Sequence, residues 1–165
     1  MYVDNTGISW HDEPSKVDVT QSDKNYSSQI ESVEIRSRDF PLDEELIKEA
    51  INDEKLYSIM AKVNHKVSGW AVFHAEGNDI FVDRLSVVDG PDLPEVIRAL
   101  FGTITWNPAP LGRSPVVTLV WPEHSVDRPL FKHLLSTGWK TSGLVKDRYD
   151  GYGQLWDGIL IRKQF

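Results

Sequence analysis

The alternation of apolar and polar side chains predicts regular secondary structure along most of this chain. The segment SVEIRSR, residues 32–38, alternates as a half-buried strand does, which would put Val33 and Ile35 on one face. Residues 42–51 then carry apolar side chains three and four positions apart, and Asp43 is suited to the first turn of a helix. The pattern therefore opens with a strand and a helix.

The middle of the chain predicts three strands and a second helix. Turns at 64–66 and 77–79 separate three apolar runs, which indicates an antiparallel meander. The runs are 56–63, 67–75 and 80–88. Residues 92–104 have their apolar side chains at helical spacing, and a loop rich in Pro and Gly follows at 107–115.

The last third of the chain adds a buried strand, a helix and two closing strands. They are predicted at 116–121, 127–136, 139–149 and 154–163, with Gly138 in the position that follows a helix C-terminus. The full order predicts an α/β (α+β) fold in which a mixed, mostly antiparallel sheet of about six to seven strands is flanked by about three to four helices. A chain of 165 residues is long enough for one substantial core.

Residues 1–31 differ from the rest because they are polar and show no apolar period. Acidic residues outnumber lysines there, so we expect an acidic N-terminal arm, separate from a domain at residues 32–165. The arm either packs loosely on its own domain or becomes ordered on a partner. Trp10 and Trp106 lie in segments predicted as irregular, and we expect them to be exposed anchors for a protein partner.

The net charge of −7 predicts a surface that repels nucleic acid and anionic membranes, and we expect neither as a partner. The chain has no cysteine, which excludes disulfides and thiolate sites. Its five histidines lack metal-ligand spacing, so no metal site is predicted. No apolar run approaches the roughly 18 residues of a membrane span, and no signal peptide is recognisable. We therefore expect a soluble protein, either cytoplasmic or packaged within a virion.

Four phrases carry a family resemblance through their order and spacing. They are KVSGWAVFHAEGNDIFVDRLSV, HLLSTGW, KDRY and WDGILIRK. Over residues 32–163 the chain resembles the GNAT (GCN5-related N-acetyltransferase) superfamily, and the last three phrases are similar to the ribosomal-protein N-terminal acetyltransferases. Trp139, Tyr149 and Asp157 occupy comparable places in those enzymes. The resemblance implies the GNAT fold and, for active members, N-acetylation with acetyl-coenzyme A.

In that family the pyrophosphate of the coenzyme binds where the fourth strand meets the next helix, on a loop of Arg or Gln, two residues, Gly, one residue, then Gly or Ala. Laid on this sequence without a gap, the motif puts Asp92 at the basic position, Glu95 at the first glycine and Ile97 at the last. None of the three fits, because side chains block the approach of phosphate and carboxylates repel it. Asp92 is instead suited to cap the helix with its carboxylate. The resemblance therefore implies a lost coenzyme site.

The catalytic residues of the family are also missing from their places. The tyrosine that protonates the departing thiolate corresponds to Leu134, and the glutamate base of the ribosomal-protein enzymes corresponds to about Leu119. Other groups are candidates for acid or base chemistry near the cleft between the splayed strands. They are Asp83, Glu123, His124 and Tyr149. The alternative is that Asp83 pairs with a neighbour such as Arg84, and that Glu123 and His124 are exposed turn residues.

These observations favour a non-catalytic GNAT-like binding or assembly module that holds a protein partner and no cofactor. Degenerate GNAT-like domains occur in bacteriophage particles, which suggests a virion or host-interaction protein. The alternative is a diverged N-acetyltransferase that uses acetyl-coenzyme A on a protein N-terminus or a small amine. In that case the strand backbone near Leu85 and Val87 alone would hold the coenzyme.

Overall fold

A computed structural model describes residues 16–106 and 115–165, which form a sheet with helices on both faces. The strands are β1 Val17–Gln21, β2 Tyr57–Val63, β3 Lys66–Glu76, β4 Asp79–Val87, β5 Val116–Pro122, β6 Lys140–Gly151 and β7 Gln154–Gln164. The helices are α1 Ser27–Ser37, α2 Glu44–Asn52, α3 Leu93–Trp106 and α4 Pro129–Ser136. Short 3-10 turns occupy Lys24–Tyr26 and Glu123–Ser125.

Within the described residues the sheet has seven strands, in the order β1-β2-β3-β4-β5-β7-β6. Neighbouring strands are antiparallel except β4 and β5, which run parallel and are connected through α3. A parallel pair needs such a crossover, because a tight turn can only reverse the chain. The predicted α/β fold, with a mostly antiparallel sheet and flanking helices, is confirmed.

Each face of the sheet has its own apolar core, because strand side chains alternate between faces. α3 and α4 cover one face over a cluster that includes Phe73 and Trp121. α1 and α2 cover part of the other face, where Ile30, Ile47 and Trp70 are fully buried. None of the helices in the described ranges is long and apolar enough to cross a bilayer.

The segment predicted as the first strand, SVEIRSR, lies in helix α1, and that prediction is wrong. Val33 is buried while Ile35 is 60% exposed, although a strand would put both on one face. The buried side chains of α1 follow a helical period that starts upstream of the segment. They are Ser27, Ile30, Val33, Glu34 and Ser37. Seven residues of such a helix can by themselves alternate between apolar and polar side chains, so the helical period is recognisable only over the whole of α1.

The domain also starts earlier than predicted. β1 pairs antiparallel with β2, and its two valines pack against the core. The predicted division between an arm at 1–31 and a domain at 32–165 therefore cuts through α1. β1 was missed because two apolar positions in a five-residue strand give no readable period. Residues 1–15, including Trp10, lie outside the described residues.

The other predicted elements agree with the structure, and their ends carry the expected local chemistry. Asp43 caps α2, where its side chain accepts a hydrogen bond from the Leu46 N–H at 2.9 Å. Asn64 and His65 form the β2–β3 turn with φ of 50° and 70°. Gly138 follows α4 with φ of 100°, a conformation that favours glycine.

The parallel strands β4 and β5 separate partway along their length. Their pairing ends with Val82 opposite Leu119. Asp83 directly after it is a bulge in the pairing of β4 with β3, and bulges bend a strand away from its neighbour. The space between residues 83–87 and residues 120–122 is termed the β4–β5 gap below.

The assignment of α1 can be tested with two identical substitutions. We expect Ile30→Ala to lower the free energy of unfolding by about 3 kcal/mol, because it removes a fully buried side chain. Ile35→Ala should change it by less than about 0.5 kcal/mol, because that side chain is exposed. Urea denaturation measures both. Similar losses in the two variants would contradict the helical assignment.

Candidate functional site

The β4–β5 gap is built around one buried carboxylate, Glu34 of α1. It accepts hydrogen bonds from the Arg84 guanidinium and the Ser86 hydroxyl on β4, and from the Leu42 backbone N–H at 2.8 Å. Burial by itself raises the pKa of Glu34, but the hydrogen bonds and charge of Arg84 and the charge of Arg38 hold the pKa below its usual range. Glu34 is therefore ionised at neutral pH and ties α1 to β4.

Arg38, at the end of α1, fills the β4–β5 gap. The residue is 7% exposed, and its Nη1 donates to the Leu85 backbone carbonyl on β4 at 2.8 Å. Its guanidinium carbon lies 4.9 Å from the centroid of the Trp121 ring on β5. Burial and the neighbouring Arg84 lower the pKa of Arg38 to about 10, so it stays charged at neutral pH. One cationic side chain thus bridges the two strands after they separate.

Asp39 fixes the start of the α1–α2 loop. Its Oδ1 accepts from Arg128 Nη2 at 2.6 Å, and its other oxygen accepts from the Ser125 hydroxyl. Burial by itself raises the pKa of Asp39, but the hydrogen bonds of Arg128 and Ser125 lower the pKa overall. Asp39 is therefore an ionised anchor that joins this loop to the segment before α4.

An aromatic cluster joins the α1–α2 loop to the β6–β7 hairpin. The Phe40 ring centroid lies 4.5 Å from that of His124 and 4.8 Å from that of Tyr152. Trp156 also contacts His124, with centroids 4.7 Å apart. The Phe40 ring lies flat against Gly151, where a Cβ atom would overlap it. The loop and the hairpin are therefore packed together.

A cleft of about 260 Å³ lies between the α1–α2 loop and the end of β6. Three guanidinium groups from three different elements line it, and we therefore term it the arginine cleft. They belong to Arg38 at the end of α1, Arg84 on β4 and Arg148 on β6. Asp39, Phe40, Tyr149 and Asp150 are among its other lining residues.

The four residues predicted as catalytic candidates do not form one constellation. Asp83 pairs with His74 on β3, whose Nδ1 lies 2.7 Å from Asp83 Oδ2, and His74 Nε2 lies 3.1 Å from Glu76. The hydrogen bond to Asp83 raises the pKa of His74 against the opposing effect of burial. Asp83 is therefore paired with a neighbouring side chain, as the alternative interpretation predicted, but the partner is His74 and not Arg84.

Glu123, His124 and Tyr149 also have contacts of their own. Glu123 accepts from the Asp157 backbone N–H at 3.3 Å. The Tyr149 hydroxyl donates to the Val120 carbonyl at 2.9 Å, and burial raises its pKa, which makes it a poorer acid. His124 is not the exposed turn residue predicted as the alternative, since its side chain is 12% exposed. Neither of its ring nitrogens has a hydrogen-bond partner among the described residues, and burial lowers its pKa.

The positions that correspond to the family's base and tyrosine offer no proton chemistry. Leu119 and Leu134 are both buried in the core under α3 and α4. The described residues also contain no group of three or more His, Asp or Glu side chains that could hold a metal ion. Around the β4–β5 gap the described charged side chains are thus held in a network of hydrogen bonds, which includes the Ser125 hydroxyl on Asp39 and the Ser86 hydroxyl on Glu34.

The turn from β4 to α3 bonds only some of its backbone N–H groups internally. Leu93 donates its N–H to the Gly90 carbonyl at 3.2 Å, and Val96 donates its N–H to the Asp92 carbonyl at 3.0 Å. Pro94 has no N–H. Among the described residues, four N–H groups here have no hydrogen-bond partner, those of Asp89, Gly90, Asp92 and Glu95. The charge of this turn, and not a shortage of N–H groups, therefore opposes an anion.

Asp92 begins α3 through its backbone, and its carboxylate has another partner. The carboxylate forms an ion pair with Lys16 Nζ at 2.6 Å, whereas the sequence predicted that it would accept helix N–H groups. The hydrogen bond and charge of Asp92 raise the pKa of Lys16. The difference arises because β1, unpredicted from the sequence, brings Lys16 beside the start of α3. The basic group near this turn is therefore already neutralised.

Glu95 and Ile97 lie within α3, so the gapless placement of the coenzyme motif on them is wrong. Ile97 is buried in the core. When the motif starts at Val87 on the observed turn, its first glycine matches Gly90, but Val87 replaces the basic residue and Asp92 replaces the last small residue. The turn thus keeps one glycine of the cradle and lacks its cation.

The strand backbone near Leu85 and Val87, the last predicted coenzyme contact, is already bonded. The Leu85 carbonyl accepts from Arg38, and Val87 pairs with Gly69 on β3. Both side chains are buried in the core. In this conformation the Leu85 carbonyl is thus occupied by a side chain of the protein itself.

Solved structures of acetyltransferases share this fold. The ribosomal-protein-S18-alanine N-acetyltransferase of Escherichia coli matches with a TM-score of 0.66 and 12% identity, over 90% of this chain and 93% of that one. The IAA acetyltransferase of Bacillus cereus matches with a TM-score of 0.63 and 14% identity, over 90% and 99%. A GNAT-family acetyltransferase of Streptococcus pneumoniae matches with a TM-score of 0.60 and 11% identity, again over 90% and 99%.

The predicted GNAT fold is thereby confirmed, while identities this low say nothing of activity. No protein-family model matches the sequence, and no curated protein matches it either.

The sequence interpretation missed the side chains that fill the gap, above all Glu34, Arg38 and Phe40. Glu34 and Arg38 are four positions apart, which puts them on one face of a helix together with Ile30. That signal was available, but reading the segment as a strand separated the residues. Arg148 could not have been found from sequence, because β6 and α1 meet only in the folded chain.

The buried imidazole of His124 should make stability depend on pH. Because its pKa is lower in the folded than in the unfolded chain, the stabilising contribution of the neutral form is present above the unfolded pKa of about 6.5 and is lost as pH falls below it. We expect His124→Phe to reduce the stability lost between about pH 7.5 and about pH 5.5. Urea denaturation at both pH values measures this.

The control is His65→Asn, which removes an exposed histidine from the β2–β3 turn and suits its left-handed backbone. It should leave the pH dependence of the wild type in place. An unchanged pH dependence in His124→Phe would contradict the assignment.

Proposed function

We propose that this chain is a non-catalytic GNAT-fold binding module whose own Arg38 occupies the gap that a GNAT enzyme uses for acetyl-coenzyme A. The observation that carries the proposal is the position of that guanidinium, bonded to the Leu85 carbonyl on one strand and stacked on Trp121 of the other. A coenzyme arm would need the same space and the same backbone carbonyl. Arg38 acts as an internal substitute for the ligand.

The electrostatics of the β4–β5 gap and its surroundings support the same proposal. A carboxylate at contact distance from a pyrophosphate costs about 1 kcal/mol in water and about 4 kcal/mol at an effective dielectric constant of about 20. Binding at micromolar affinity provides only about 8 kcal/mol. Asp89 and Asp92 both lie in the turn that would receive the pyrophosphate, and Lys16 is already paired with Asp92. The carboxylates of the turn therefore oppose a bound pyrophosphate.

A protein partner fits the surface beside α3. Trp106 at the end of this helix is 82% exposed, which is unusual for so large an apolar side chain. A groove of about 430 Å³ runs alongside, lined mainly by apolar side chains that include Phe101, Trp139 and Phe165. An exposed aromatic residue beside an apolar groove is the arrangement that anchors protein partners. The roles of Trp106 and Trp10 as anchors for a partner stay predictions. The location within a virion stays a prediction too.

The alternative function is a diverged N-acetyltransferase that uses acetyl-coenzyme A. It is favoured by the activity named for the structural neighbours, which include an enzyme for a ribosomal-protein N-terminus. It would require Arg38 to leave the gap when the coenzyme binds. The same titration therefore tests both functions.

Isothermal titration calorimetry with acetyl-coenzyme A tests the proposed function. We expect no saturable heat from the wild-type protein with ligand up to about 1 mM, because the gap is filled and the turn carries carboxylates. Saturable binding at micromolar concentrations would overturn the proposal and support the alternative.

A gain of binding tests whether Arg38 is the obstruction. Arg38→Ala combined with Asp92→Arg clears the gap and restores a cation at the turn, and we expect a dissociation constant of about 1 mM or lower for acetyl-coenzyme A. The control combines Arg36→Ala with Asp92→Arg, since Arg36 is exposed on the same helix. It should stay silent. Circular dichroism checks that both fold, and silence of a folded Arg38 variant would contradict the assignment.

A further inference from the structure

Arg38 carries a buried charge that the carboxylates of Glu34 and Asp39 offset only without direct contact. It makes no ion pair within the part of the chain that the structure describes, and its contacts there are the Leu85 carbonyl, the Trp121 ring and the neighbourhood of the Tyr149 hydroxyl. Glu34 lies on the same helix, but its carboxylate is bonded to Arg84. A buried guanidinium is stable when hydrogen-bonded anions surround it. Arg38 therefore has the capacity to bind a further anion.

The arginine cleft presents that capacity to solvent. Arg148 lines it from β6, is exposed, and has as its contact the face of Tyr149, 5.2 Å from the centroid. Arg84 reaches the cleft from β4 but is also bonded to Glu34 and to the Phe40 carbonyl. Arg38 and Arg148 are thus the guanidinium groups with donors to spare, and both lie beside Tyr149.

The acidic groups of the cleft do not cancel this charge. Asp39 lines the cleft, but its two oxygens are bonded to Arg128 and the Ser125 hydroxyl. Asp150 lines the cleft on an exposed part of the hairpin. The whole chain carries a net charge of −7, so three converging arginines are a marked local departure from the average surface.

We propose that the arginine cleft binds a carboxylate side chain presented by an acidic peptide segment of a protein partner. The guanidinium fork of Arg148 would hold the carboxylate in the geometry that this group prefers, and Arg38 would supply the buried positive charge behind it. A cleft of about 260 Å³ is large enough for the end of a glutamate side chain and too small for a nucleotide. The rings of Phe40 and Tyr149 would pack on its methylene groups.

This inference deepens the proposed function by naming the chemistry of the partner. It rests on the proposed function, because it takes the bound peptide to be held and not acetylated. The same charges disfavour the acceptor of an N-acetyltransferase. An amine is protonated in solution near neutral pH, and the guanidinium groups of Arg38 and Arg148 would repel it. The cleft is therefore suited to the opposite charge.

Titrations of the full chain with short blocked peptides test the proposal. One peptide carries a single glutamate and its match carries glutamine at that position, and binding is followed by two-dimensional amide NMR. We expect the glutamate peptide to shift resonances of residues around the cleft and to bind about tenfold more tightly than the glutamine peptide. Equal binding of the two peptides would overturn the proposal.

Two variants on β6 give the matched comparison. Arg148→Gln should weaken the glutamate peptide about tenfold, since it removes a charged hydrogen-bond donor. Lys146→Gln removes the same charge from an exposed site outside the cleft, and it should weaken binding less than about twofold. Equal losses in both variants would show a general effect of charge and overturn the proposal.

Titrations with inorganic phosphate and with succinate test whether the cleft binds a small free anion in preference to a glutamate side chain of a peptide. Binding of either one that exceeds the affinity of the glutamate peptide, and depends on Arg148, would replace the protein partner with a small anion and overturn the proposal. Failure of the proposed function gives a different result. Wild-type protein would then bind acetyl-coenzyme A, while the selectivity for glutamate and its dependence on Arg148 would persist.

Discussion

The separation of β4 from β5 is the constraint on which the site depends. Two parallel strands that part inside a fold leave backbone carbonyls without their sheet partners, and buried carbonyls need hydrogen bonds. In this chain protein side chains supply them. Arg38 donates to Leu85 on β4, and the Tyr149 hydroxyl donates to Val120 on β5, so the gap is closed from within.

The position of α1 follows from that solution. The helix carries Glu34 and Arg38 on its inner face. The Glu34 carboxylate binds Arg84 on β4, and the Arg38 guanidinium enters the gap. Breaking a buried ion pair of this kind by removing one partner costs about 3 kcal/mol or more, because the remaining charge stays buried. The polar contacts thus fix the position of α1 beside the β4–β5 gap.

Charge and aromatic packing explain why the two halves of the site differ. On the side of α3 the turn is acidic, and its cation Lys16 is already paired. On the side of the β6–β7 hairpin, Phe40 packs on the hairpin and leaves a small cleft walled by arginines. The α3 side of the site thus presents carboxylates, and the cleft on the hairpin side presents arginine side chains.

The sequence by itself determined the fold class, six of the seven strands (β2 to β7) and helices α2 to α4, because apolar periodicity and turn residues are local signals. It also indicated a degenerate coenzyme turn, although it placed the motif inside α3. Only the tertiary structure decided that α1 is a helix of the core and that Arg38 enters the gap. Contacts such as Arg38 with Leu85 join residues 47 positions apart, and no local pattern encodes such a distance.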